Sequence, residues 1–412
     1  MDMTEKSKYN ITSDRASYLL ILFACFVTNI SQSPTFVSRG WSSMISTSVW
    51  MVCVLFVFLT REKRFPRAAG YVYGVVFLFF MLLAINCVFT GIQYWRSSHI
   101  TCLLISIFVF TIGCLEGSSI GEREWHGFLM TYIISSGIVA LEIFIKFFAR
   151  NFNILSRVYA YSSKNSVSQI LLTAVILLLF GVGEEYKIRF NAIRIALIAF
   201  LSLLILVLKS RATIICFGIL YIAFLKNPDF SSKLKAFSVV AIGVLVAAIF
   251  LVPSLNEVVI KGIILAGRDV KNLNDLSSGR VNIIRRGLDM IMENPAFGIG
   301  KHYLDCYPVA VMLQFGIPAG IVLCVIAALP LLVSLKIKRE NDSPFINMVN
   351  GVLIVLSISD LINGLFEALT PLGPGAKCYS LWLIFGIATR LIANDIVPGN
   401  ETGVSHIIEG QE

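Results

Sequence analysis

Arg280, Arg285 and Arg286 crowd into "SGRVNIIRRG", a glycine-bounded stretch of a chain that otherwise avoids charge. Three further groups share this polarity. "LKSRATII" carries Lys209 and Arg211, "YSSKNSVSQ" carries Lys164 and Asn165, and "NPAFGIGKHYLDCYP" carries Lys301, His302 and Asp305. Glu367 stands in "NGLFEALTPLGPGAK", a turn rich in Pro and Gly. A guanidinium presents a planar fork that matches two phosphate oxygens at once, which an ammonium cannot do. A carboxylate or imidazole nearby can accept a proton from a hydroxyl. Together these residue types would suit a pocket for a lipid diphosphate. The sequence has no Asp-x-Asp and no His cluster, so no metal or other cofactor is expected, and arginines would do the neutralising that a divalent cation does elsewhere.

Each group also has a structural reading. Arg211 at a helix start can snorkel to lipid headgroups, and Lys164 can be an ordinary charge at the end of a span. Glu367 can be a solvated turn residue. The helix after "SGR" can lie at the membrane interface with its basic residues among headgroups.

The elements that must position these groups are set by composition. Of the 412 residues 57% are apolar and 14% charged, and apolar runs of about 16 to 25 residues recur along the whole length. This predicts an all-α polytopic helical bundle with about twelve spans in a single membrane domain, 1–412. The spans are expected near 16–31, 42–60, 69–91, 99–115, 128–147, 166–183, 192–208, 211–225, 236–254, 309–335, 346–363 and 378–394. The first is preceded by Lys6, Lys8 and Arg15 but followed by no small-x-small cleavage site, so it is read as a retained span. The net charge of +9 is spread over short loops, which points to positive-inside topology and away from nucleic acid. The scattered cysteines form no CxxC pair and imply neither a disulfide framework nor a zinc site.

"REKRFPR", "KNPDFSSKLK" and "KIKRE" fall on one side if the N-terminus does, and that side should be cytoplasmic. The expected topology therefore has both termini inside. The one long loop, 255–308, faces outward and holds seven Lys and Arg; with it set aside, the inner side has about twice as many basic residues as the outer. Within the loop, Ser277 or Ser278 can cap a helix that Pro295 ends. Val281, Ile284, Leu288 and Ile291 would make its apolar stripe, with Arg280, Arg285 and Arg286 on the polar side and first turns. The tail 395–412 is polar.

"SRATII" after one span, the long loop with "SGR" and an amphipathic helix, "NPAFGIG", and the approach to the following span resemble the O-antigen polymerase and O-antigen ligase superfamily. "KNSVSQ" extends the resemblance toward the middle of the chain. These are integral membrane glycosyltransferases that use undecaprenyl-diphosphate-linked sugars outside the cytoplasm. The resemblance implies that Arg211 and Arg280 are the paired arginines that grip the donor diphosphate, with Lys164, Arg285 or Arg286 assisting. The ligase branch carries a histidine ahead of a Gly-x-x-small motif. Counting back from "GIPAG" falls instead on Asp305 and Cys306, and His302 could take the role only if the loop were shifted by about one helical turn.

The polymerase branch is therefore expected, in the bacterial inner membrane. Asp305 is the first candidate base, Glu367 the second and His302 the third. The implied partners are an undecaprenyl-diphosphate-linked oligosaccharide and membrane lipid, with a chain-length regulator as a candidate; nucleic acid is not one. Two alternatives stand beside it: a ligase that delivers polysaccharide to lipid A core, and a lipid-linked oligosaccharide flippase, since about twelve spans also suit carriers.

Overall fold

The computed structural model describes residues 3–61, 65–149, 155, 164–183, 191–227, 230–268, 270, 272–277, 279–300, 302–337, 343–373 and 378–395. Ser278, Lys301 and the tail 396–412 lie outside the described residues. Among those described, the regular elements are helical, as an apolar solvent requires of a chain that must satisfy its own backbone polar groups.

The long helices are α1 (Met3–Ile30), α2 (Ser42–Thr60), α3 (Arg67–Thr90), α4 (Ser98–Glu116), α5 (Glu122–Ala149), α6 (Lys164–Phe180), α7 (Asn191–Val207), α8 (Arg211–Lys226) and α9 (Ser232–Leu251). After the long loop and its helix α10 (Arg280–Glu293) come α11 (Tyr307–Phe315), α12 (Ile317–Ile337), α13 (Pro344–Gly364) and α14 (Tyr379–Asp395). Seven helices are long and apolar enough to cross a membrane, and four shorter apolar ones stand beside them. The protein is a multi-pass membrane bundle.

The centre is built by α4, α6 and α14. Gly113 of α4 and Gly386 of α14 lie backbone to backbone: a Cβ on Gly113 would strike the Leu383 carbonyl, and one on Gly386 the Phe110 carbonyl. Removing side chains at a crossing lets helices approach closely where water supplies no driving force between them. From Val167 to Leu178 every residue of α6 is buried. The helix that starts with Lys164 and Asn165 therefore rises through the bundle, with its first three residues half-buried and full burial from Val167 onward.

Two expectations are corrected. The span expected at 309–335 is not one helix. It breaks at Gly316, whose backbone at φ +85° and ψ 164° separates α11 from α12, a region open only to glycine. "NPAFGIG" fills the break: Ile299 N–H donates to the Leu313 carbonyl at 2.9 Å, Gly300 N–H to Gln314 at 3.1 Å, and Ile317 N–H to Pro295 at 2.7 Å. A Cβ on Gly298 would stand 2.5 Å from the Gly316 nitrogen, and one on Gly316 would strike the Ala296 carbonyl.

The second correction concerns the face of α10. Ile284 and Ile291 pack with Leu304, Cys306, Ala310 and Leu313, whereas Val281 and Leu288 stay 42% and 48% exposed. The inward face runs through Arg280, Ile284, Gly287 and Ile291, at spacings of four, three and four, the period of one helix face. Arg280 is thus on the packed side, and of the three arginines Arg285 and Arg286 stay exposed. Gly287 is small because Leu304 sits against it: a Cβ there would lie 2.5 Å from Leu304 Cδ1.

Candidate functional site

Lys164, Arg211 and Arg280 are each the first residue of a helix: α6, α8 and α10. Helix starts carry partial positive charge from backbone N–H groups that have no partner within the helix, so a cation there is locally unfavourable. These three starts meet. The Lys164 ammonium interacts electrostatically with Arg211, Arg268, Arg280 and Lys209, and its Nζ donates to the Lys209 carbonyl at 3.2 Å. Four basic residues from three other segments thus lie within electrostatic reach of Lys164.

Local sequence explains how each arrives. The connection between α7 and α8 is so short that Lys209 takes φ +55°, and its N–H bonds back to the Leu206 carbonyl at 3.0 Å. Arg211 consequently begins α8, as the sequence implied. Arg280 begins α10 after Gly279, which takes φ +83°. Ser277 Oγ accepts from Val281 N–H at 3.2 Å and Asn274 Oδ1 from Asn282 N–H at 3.1 Å, so two side chains of the preceding segment satisfy N–H groups of the helix start, while the cap position itself is Gly279. Arg268 follows a turn in which Ala266 and Gly267 both have positive φ. Nothing in the sequence singles it out, although it is one of the seven basic residues of the long loop 255–308.

Two carboxylates border the cations. Arg280 Nη2 lies 3.8 Å from Asp305 Oδ2, and its Cζ lies 5.7 Å from the centre of the Phe366 ring. The guanidinium is thereby clamped between an ion partner and an aromatic face. Asp305 Oδ1 accepts from the Tyr303 hydroxyl at 2.7 Å. Burial, then the bond to Asp305 and the charges of Asp305 and Glu367, raise the pKa of the Tyr303 hydroxyl and keep it a donor.

Glu367 is held from the opposite side. Asn165 Nδ2 donates to Glu367 Oε1 at 2.6 Å, and Ser210 Oγ donates to Asn165 Oδ1 at 3.2 Å. Ser210 also shares a hydrogen bond with Thr213 at 2.9 Å. The loop that bears Glu367 is fixed to the bundle core: His99 Nε2 donates to the Ala368 carbonyl at 2.8 Å and Trp382 Nε1 to that of Pro371 at 3.0 Å. His99 also packs against Tyr307 and Phe315, and so links this loop to the base of the Asp305 segment.

The structure brings together Lys164, Arg211, Arg280, Asp305 and Glu367, with Lys209 and Arg268 added. Arg285 and Arg286 are exposed on α10, and His302 is exposed in the segment before Asp305. Among the described residues no three of His, Cys, Asp and Glu converge as a metal-binding group. Tyr303 and Phe366 were missed in the sequence because an aromatic residue in a loop carries no signal until its neighbours are known.

No curated protein matches the chain. Residues 195–319 match the family model described as O-antigen ligase. The matched segment contains Arg211, Arg268, Arg280 and Asp305, while Lys164 and Glu367 lie outside it. The matched segment, 125 of the 412 residues, is similar to the O-antigen ligase family.

Proposed function

We propose that the protein is an O-antigen polymerase of the bacterial inner membrane, acting at the periplasmic face with both termini in the cytoplasm. It transfers a glycan chain from undecaprenyl diphosphate to the non-reducing-end hydroxyl of a lipid-linked repeat unit. The observation that carries this reading is the meeting of Lys164, Arg211 and Arg280 at three helix starts, with Lys209 and Arg268 beside them. Basic groups at three positive helix ends, with Lys209 and Arg268 within reach of Lys164, offer the charge and the backbone donors that a diphosphate requires.

In the reaction, the acceptor hydroxyl oxygen bonds to the anomeric carbon of the donor sugar. The bond from that carbon to the diphosphate oxygen breaks, and its electron pair leaves with the diphosphate. Arg211 and Arg280 stabilise the growing negative charge, which in a partly dry site has most effect on the rate. The hydroxyl proton goes to Asp305, with Glu367 as the second carboxylate at the acceptor.

A second reading, transfer of polysaccharide to lipid A core, is favoured by the description of the matching family as O-antigen ligase. Deletion separates the two. Loss of a polymerase leaves lipopolysaccharide with at most one O-unit on a gel. Loss of a ligase leaves none attached, with lipid-linked polymer accumulating. Reconstitution with purified lipid-linked repeats tests the chemistry itself: longer glycan supports transfer, and passage across the bilayer without bond formation identifies a flippase and overturns the proposal.

A further inference from the structure

The segment 302–306 alternates in burial. His302 and Tyr303 are exposed, Leu304 is 2% exposed, Asp305 is half-buried and Cys306 is 6% exposed. Leu304 and Cys306 anchor the segment in the small core beneath α10, which leaves Tyr303 and Asp305 on the same side. Tyr303 is unusual there. The residue is 72% exposed, yet its hydroxyl is bonded to Asp305 and lies within electrostatic reach of Glu367 and Arg280. A side chain so placed has its polar end fixed and its apolar face uncovered.

We infer that Tyr303 is the platform of an acceptor-sugar subsite: one face of a pyranose ring stacks on the exposed tyrosine ring while its hydroxyls reach Asp305 and Glu367. The inference deepens the proposed function by naming where the acceptor sits, and it rests on that reading for the word acceptor. The chemistry is that of carbohydrate recognition. A pyranose has an apolar C–H face and a polar edge. An aromatic ring covers the first, and carboxylates accept hydrogen bonds from the second. Fixing the ring through its hydroxyl removes the rotamer entropy that binding would otherwise cost. It also places the sugar on the carboxylate side of the cation cluster, so an acceptor hydroxyl and a diphosphate leaving group can occupy the site together.

An exposed aromatic can instead rest among lipid headgroups, and the test distinguishes the two. The protein is placed in nanodiscs. Its binding of the repeat-unit oligosaccharide, released from the host's own lipid-linked glycan by mild acid, is titrated alongside glycosyl transfer. Tyr303→Leu is expected to weaken oligosaccharide binding about tenfold and to raise the half-saturating acceptor concentration similarly, with that for the donor unchanged. Tyr303→Phe, which keeps the ring, is expected to stay within about threefold of wild type. Tyr71, exposed at the start of α3, serves as a control, and Tyr71→Leu should change neither quantity.

Wild-type oligosaccharide affinity in Tyr303→Leu overturns the inference, as does a loss shared equally by donor and acceptor. Failure of the proposed function would look different. The wild type would then bind the oligosaccharide without joining it to anything, and the binding comparison between variants would still decide whether Tyr303 is the platform.

Discussion

Asn165 Nδ2 donates to Glu367 Oε1 across 2.6 Å, which joins residues 202 positions apart and fixes the loop that bears Glu367 to the N-terminal end of α6. The amide must point this way because its oxygen is already bonded by Ser210. Asn165→Asp sets one carboxylate against another and is expected to lower glycosyl transfer about tenfold and to reduce thermal stability in detergent. Adding Glu367→Gln restores a hydrogen bond with its polarity reversed. Stability should return and transfer should not. Recovery of both would make Glu367 a purely structural partner of Asn165.

Arg280 owes its orientation to Asp305 on one side and Phe366 on the other. Arg280→Lys and Arg211→Lys keep the charge and lose the planar fork. Each is expected to reduce transfer by about 100-fold or more at normal protein level. Polymer length on lipopolysaccharide gels, with immunoblots for protein amount, checks this; unchanged polymer in both variants would remove them from the diphosphate site.

Asp305→Asn keeps the shape of the side chain and its ability to accept from Tyr303, but removes the proton acceptor. Transfer is expected to fall by about 100-fold, and Glu367→Gln is expected to keep a measurable residue. Turnover by purified variants decides the order. Substantial activity in Asp305→Asn with none in Glu367→Gln would exchange their roles.

Gly316→Ala should fail structurally. The new methyl meets the Ala296 carbonyl, and φ +85° is closed to alanine. The cost is expected to be about 1 kcal/mol or more, seen as a lower melting temperature and less folded protein. Gly243→Ala in α9, where no atom lies within 4 Å of the added carbon, is the control and should be neutral or slightly stabilising. Equal behaviour of the two would contradict the reciprocal packing of "NPAFGIG" and "FGIPAG".

The sequence by itself determined that the chain is a bundle of membrane-crossing helices, because a backbone in hydrocarbon has no partner but itself and apolar runs of sufficient length announce it. It also placed Lys164 and Arg211 close to their helix starts, since span ends obey local rules; of the two serines offered as a cap, Ser277 does accept from Val281 N–H, but the cap position itself is Gly279. Which face of α10 looks inward was present in the spacing of Arg280, Ile284, Gly287 and Ile291. A purely apolar stripe shifted the reading by one position, because an arginine and a glycine do not register as core. The rest only the tertiary structure decided. That three cationic helix starts converge, that Arg268 joins them, that Glu367 meets Asn165, and that one expected span breaks to receive "NPAFGIG" all depend on helix packing over long separations. Such packing rests on shape and on glycine contacts between distant backbones, and no local pattern of residues records which helix will be the neighbour.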